Sequence, residues 1–169
     1  MDRRHLLFTL AALLPASLFA AEPEWKTYTN PRFGFSISHP PELEAGPGSD
    51  SGDGNTFKSK DGKVTLLAYA HFLQKDDGDT LESRWKDELA KRGETVTYKK
   101  KGETWFVVSG VEKDGTEYYR KFATEKGNWA TFLITYPHAD HEKYDAWVSK
   151  IEKSFVPFLK GEGYDRLEE

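Results

Sequence analysis

Trp129-Ala130-Thr131-Phe132-Leu133-Ile134-Thr135-Tyr136 decides the fold. Apolar side chains fall on both parities of this run, as in a central strand covered on two faces. Just downstream, Tyr144, Trp147, Val148, Ile151 and Phe155 recur at i, i+3, i+4, i+7 and i+11. That spacing predicts an amphipathic helix over Asp140 to Phe155 that lays one stripe on a sheet. Working outward, Glu94 to Lys100, Glu103 to Val111 and Thr116 to Ala123 read as strands leading into the central one. Lys101-Gly102, Asp114-Gly115 and Lys126-Gly127 divide them, and each pair supplies a glycine for a positive-φ turn position. Connections this short join only antiparallel neighbours.

Further upstream, Asp79 is read as an N-cap with Glu82 completing a capping box and Gly93 as the stop, around a narrow stripe of Leu81, Trp85 and Leu89. Asn55 to Lys60 and Lys63 to His71 form a hairpin about Asp61-Gly62. Phe33, Phe35 and Ile37 alternate with small residues as in a half-buried strand, which Pro40-Pro41 ends. The chain therefore predicts an α+β domain: a predominantly antiparallel, twisted sheet of about six or seven strands with helices packed on its faces. Phe33, Phe35, Ile37, Leu66, Trp129, Phe132, Ile134, Trp147, Val148, Ile151 and Phe155 are its expected core, and Trp25 is the tryptophan expected to be exposed. A charged tail from Lys160 is expected to fray.

The amino terminus carries a separate message. Arg3-Arg4-His5 precedes an apolar run, Leu6 to Ala20, which ends in small residues before Glu22 and Glu24. This is the layout of a signal peptide over residues 1–20, too short to span a bilayer comfortably. Residues 21–169 are then a single domain in the periplasm or secreted medium. Arg3-Arg4 followed by Leu6-Leu7 suits the twin-arginine route, and a basic start serves general secretion equally. No cysteine occurs in the 169 residues, which removes disulfides, thiolate chemistry and a lipidated cysteine anchor. The whole chain carries −4, and its first twenty residues hold two Arg against one Asp, leaving −5 for the remainder. That sign argues against nucleic-acid binding and polybasic membrane attachment. No second apolar stretch is present for stable membrane insertion.

Chemistry-bearing clusters are few. His138-Ala139-Asp140-His141-Glu142 places two imidazoles at i and i+3, a candidate Zn²⁺ or Cu²⁺ pair. The same residues also suit a helix start, with Asp140 as cap and Glu142 in the first turn. Gly46 to Asn55, with Asp50 and Asp53, matches neither a calcium loop nor a phosphate loop. It reads as a turn-rich segment or a mobile partner-binding loop. Lys99-Lys100-Lys101 marks a solvated hairpin tip. No G-x-S-x-G, H-E-x-x-H or nucleophilic cysteine appears, so no catalytic residue and no cofactor is assigned.

TYTNPRFGFSISHP, SGDGNTFKSKDGKVTLLAYA, TWFVVSGVEKDGTEYYRKF and the ending that runs from Tyr136-Pro137 through a helix to Ser154-Phe155 resemble the PsbP-like superfamily. Its members include PsbP of photosystem II, the bacterial lipoprotein DcrB and a Ran-binding import factor; small exported bacterial proteins are more similar still. The resemblance covers nearly all of residues 21–169 and implies an antiparallel sheet between helices. Its characterised members mainly bind proteins, so it implies a non-catalytic accessory protein acting on a protein partner. Asp50, Asp53, Asn55, Lys101 and Asp114, at loop and hairpin tips, are the candidate contacts. A periplasmic enzyme or metal-binding protein is the alternative, and the oligomeric state stays open. N-terminal sequencing of the native protein should begin at Ala21 or Glu22; intact Met1 in a cytosolic fraction would overturn export. Changing Arg3-Arg4 to Lys-Lys should abolish export by the twin-arginine route and leave general secretion working.

Overall fold

The computed structural model describes residues 23–160; the leader and the expected frayed tail after Lys160 lie outside them. Among the described residues nine strands and two α-helices form: β1 (Lys26–Thr29), β2 (Ser36–His39), β3 (Leu43–Ala45), β4 (Gly54–Ser59), β5 (Thr65–Phe72), α1 (Leu81–Arg92), β6 (Val96–Lys101), β7 (Trp105–Val111), β8 (Thr116–Glu125), β9 (Asn128–Pro137) and α2 (His141–Ser154). Seven strands make one sheet in the order β3-β4-β5-β9-β8-β7-β6, with β1 and β2 paired separately. Every pairing is antiparallel. The α+β architecture expected from the sequence is therefore present, with β9 at the centre of the sheet.

Alternation along β9 sends side chains to two different cores. Ala130, Phe132, Ile134 and Tyr136 join Leu66, Ala68 and Phe57 under α2 and the β1–β2 pair. Buried Tyr144, Val148 and Ile151 are the stripe of α2 that closes this layer. Phe155 meets Phe132 edge-on, with ring centroids 5.1 Å apart. The opposite parity carries Trp129 and Leu133 into a second cluster with Phe106, Val108, Tyr118 and Phe122 beneath α1.

Several local expectations are corrected. Thr80, not Asp79, caps α1: its side chain accepts from Ser83 N, and Ser83 Oγ answers the Thr80 N–H. Asp79 instead binds Arg84 at 2.6 and 2.7 Å, because a bidentate guanidinium offers it a stronger partner than one amide. Phe33 and Phe35 are buried as expected but precede β2, where Gly34 takes a left-handed φ of 64°. Trp147 is half-buried, at the edge of the α2 stripe. Trp25 is also half-buried rather than exposed, with Lys150 Nζ 4.4 Å from its ring. The short strands β1 and β3 lack an apolar alternation that would have shown them.

The α1 layer contains a buried charge. Glu88 is 5% exposed, accepting from Arg92 Nε at 3.1 Å and Arg120 Nη1 at 2.6 Å. Arg92 also reaches Glu112 and lies over the Tyr118 ring at 4.0 Å. Removing one member of such a buried network leaves the others unpaired and costs about 3–5 kcal/mol. Glu88→Ala should therefore lower the melting temperature by roughly 6–20 °C, taking about 2–4 °C per kcal/mol for this chain length. A change within a few degrees would show that α1 docks by its apolar stripe alone.

Candidate functional site

Two places gather chemistry, at opposite ends of the sheet. The first is built by the β8–β9 hairpin and the start of α2. Pairing places Glu117 opposite Tyr136, and His138 N donates to Gly115 O at 2.9 Å. Residues His138–Asp140 form one 3₁₀ turn, and His141 opens α2. Asp140 stands at the cap position, but its side chain makes no capping bond. Both imidazoles turn instead to Glu117: His138 Nδ1 lies 2.9 Å from Oε2, and His141 Nδ1 lies 2.9 and 2.8 Å from Oε1 and Oε2. An ionised carboxylate only accepts, so each ring donates from Nδ1.

Burial pushes the Glu117 carboxyl upward, but hydrogen bonds from His138 and His141 outweigh it and hold the group below its ordinary range. The hydrogen bond to Glu117, with its charge, raises His141 above its ordinary value of 6.5. Burial raises Tyr136, the register partner of Glu117, strongly. The three side chains offer ligand atoms within 4.8 Å of one another. The sequence pointed to His138 and His141 but missed Glu117, twenty-one residues away from the first imidazole. A register count back from the Lys126-Gly127 turn, which opposes Glu125 with Asn128 and hence Glu117 with Tyr136, would have found it.

The second place is a cleft beside the β3–β4 loop. Because α1 lies over β7 to β9, the β4–β5 half of that face stays uncovered, and Leu67 and Tyr69 are its floor. The loop from Gly46 to Gly54 walls a cavity of about 430 Å³ over them. This loop, read from the sequence as a turn-rich segment or a mobile partner-binding loop, is braced. Arg32 Nη1 binds Asp53 Oδ1 at 2.8 Å and also reaches Ser51 O. Asn30 Nδ2 donates to Gly52 O at 2.9 Å, and Ala70 N to Asp53 O at 3.0 Å. Asn55 donates to Gly46 O at 3.3 Å and accepts from Thr56 N at 2.7 Å.

The five candidate contact residues are thus divided. Asp50, Asp53 and Asn55 share the cleft loop. Lys101 stands at the same end of the sheet but five strand spacings from β4, about 24 Å, and pairs with Glu82 of α1. Asp114 belongs to the opposite end, in the turn whose Gly115 carbonyl holds His138.

No protein-family model matches the chain, and no curated protein matches it by sequence. Solved structures do match. Cyanobacterial PsbP (CyanoP) from Synechocystis sp. PCC 6803 superposes with a TM-score of 0.59 at 12% identity, over 88% of this chain and 99% of that one. The fold is PsbP-like. A protein from Bacteroides thetaiotaomicron VPI-5482 matches with a TM-score of 0.50 at 14% identity, covering 82% of this chain and 49% of its own. At these identities the PsbP-like likeness is one of fold, and function rests on the sites themselves.

The Glu117–His141 coupling has a definite sign. A raised His141 value contributes stability that is fully present below 6.5 and is lost as pH rises through the raised value. The lowered Glu117 contributes above its unfolded value and fades as pH falls through the folded one. In metal-free buffer, NMR titration should place His141 above 6.5 in the wild type and lower it in Glu117→Gln, with Asp145 and Glu142 still acting on the ring. Identical titrations in the two proteins would dissolve the pairing.

Proposed function

We propose that the protein is an exported, non-catalytic accessory protein that binds a segment of a partner protein in the cleft beside the β3–β4 loop. The observation carrying this reading is the braced, preformed cavity of about 430 Å³ on a sheet face left open between α1 and the loop. Leu67 and Tyr69 give it an apolar floor, and Asp53, its one charged lining residue, is already engaged by Arg32. An uncharged extended segment with an aliphatic or aromatic side chain matches that lining. Preorganisation by Arg32 and Asn30 reduces the ordering cost of binding. Export is part of the proposal, supported by the basic and apolar leader of residues 1–20.

Thr56→Arg projects a long cation into the cleft while leaving the Arg32 and Asn30 braces intact. Cross-linking in the native envelope should capture a specific protein with the wild type and lose it with Thr56→Arg, the two proteins melting within a few degrees of each other. A partner retained by Thr56→Arg would remove the cleft from the reading. Turnover of a small periplasmic substrate with no captured partner would replace the binding protein by an enzyme.

A further inference from the structure

We infer that Glu117, His138 and His141 form a surface site for one divalent transition-metal ion of the zinc and copper class, independent of the cleft. Two imidazoles and one carboxylate are the three-ligand set of open zinc sites, which leave a fourth position to water or an incoming group. Imidazole nitrogen beside a single carboxylate favours zinc and copper over calcium and magnesium, which take mostly oxygen.

The geometry is close to what such an ion needs. Ligand atoms about 2.0–2.1 Å from a tetrahedral ion lie about 3.3 Å from one another. Here the imidazole nitrogens sit 2.8–2.9 Å from the carboxylate oxygens, at hydrogen-bond rather than coordination spacing. All three ligand atoms already lie within 4.8 Å. Conversion needs shifts that run from a few tenths of an ångström at the nitrogen–oxygen pairs to at most about 1.5 Å between the two imidazole nitrogens, and a change of tautomer: each ring moves its proton to Nε2 and presents the Nδ1 lone pair. The rings are free to make that adjustment, since the His138 and His141 side chains are 55% and 48% exposed. Glu117 is not; its side chain is 13% exposed, on β8 between its β7 and β9 neighbours.

The surrounding charge favours a cation. Glu142 and Asp145 of α2 both act electrostatically on His141, and Asp140 lies between the two ligating histidines. A divalent ion would also fasten the start of α2 to the β8–β9 hairpin, joining elements that the Gly115–His138 bond already holds together.

The test is calorimetric titration of the tag-free full chain with Zn²⁺ and separately with Cu²⁺, with electron paramagnetic resonance on the copper form. One equivalent should bind, with two-nitrogen coordination in the copper spectrum. His138→Ala, His141→Ala and Glu117→Gln should each weaken binding at least about ten-fold. The copper spectrum of either histidine variant should report the loss of one nitrogen. Melting curves without metal establish that each variant is folded. Equal affinity and equal nitrogen count in the wild type and the His138→Ala/His141→Ala double variant would overturn the site, as would no binding by the wild type. Either result would leave the three residues as an ion-paired clamp. Because Thr56→Arg lies at the other end of the sheet, failure of the cleft and failure of the metal site are read separately.

Discussion

Strand β9 is enclosed on both faces over most of its length, and that constraint organises everything around it. Phe132 and Ile134, both fully buried, need a covering layer on one side, while Trp129, 5% exposed, needs one on the other. An antiparallel strand with apolar residues on both parities is stable only at the middle of a sheet between two layers. The β8–β9 and β5–β9 pairings therefore lie at the centre, and α2 with the β1–β2 pair closes one face. The carboxyl-terminal segment is drawn into the same layer, with Ser36 and Val156 exchanging backbone hydrogen bonds at 2.9 Å in each direction. This last contact fastens the end of the described chain to its beginning, so truncation of either would expose the Phe33–Phe35 region.

Coverage of the second face is unequal, and the cleft proposed for binding follows from the inequality. Helix α1 has twelve residues and an apolar stripe of only three, Leu81, Trp85 and Leu89. It spans β7 to β9 and stops, and a buried Glu88–Arg120 pair fixes where it rests. Charge pairing of this kind adds little net stability over an apolar contact but penalises alternative placements, since any slip strands a buried charge. Leu67 and Tyr69 are thereby left beside the helix rather than under it. The braced loop then turns the uncovered strip into a cleft instead of an apolar plane open to aggregation.

What the sequence made legible was whatever repeats with a period. The central strand, the α2 stripe and the three glycine-bearing turns were all readable, because burial writes itself as alternation or as a 3.6-residue rhythm. Capping was not: Asp79 and Thr80 are both good caps by residue type, and only the presence of Arg84 within reach diverts the first from the role. Strands β1 and β3 were invisible because KTYT and LEA carry no pattern and owe their pairing to neighbours. The histidine cluster was half legible. His138 and His141 are close in sequence, but Glu117 reaches them through strand register, which has to be counted from a turn rather than seen.

Register also explains why the two sites are separate devices. Tyr69 in the cleft pairs with Thr131, and the histidine turn begins after Pro137 on the same strand. Six residues at about 3.3 Å each place them some 20 Å apart. The path between them runs through Phe132 and Ile134, the most tightly enclosed part of the molecule. A close-packed strand with fully paired neighbours on both sides has no second arrangement to adopt, and coupling between distant sites requires an element that has two. An ion at Glu117 would therefore change how firmly α2 is held without reshaping the floor formed by Leu67 and Tyr69. The rigidity that β9 needs for its own burial is what keeps the chemistry at its two ends independent.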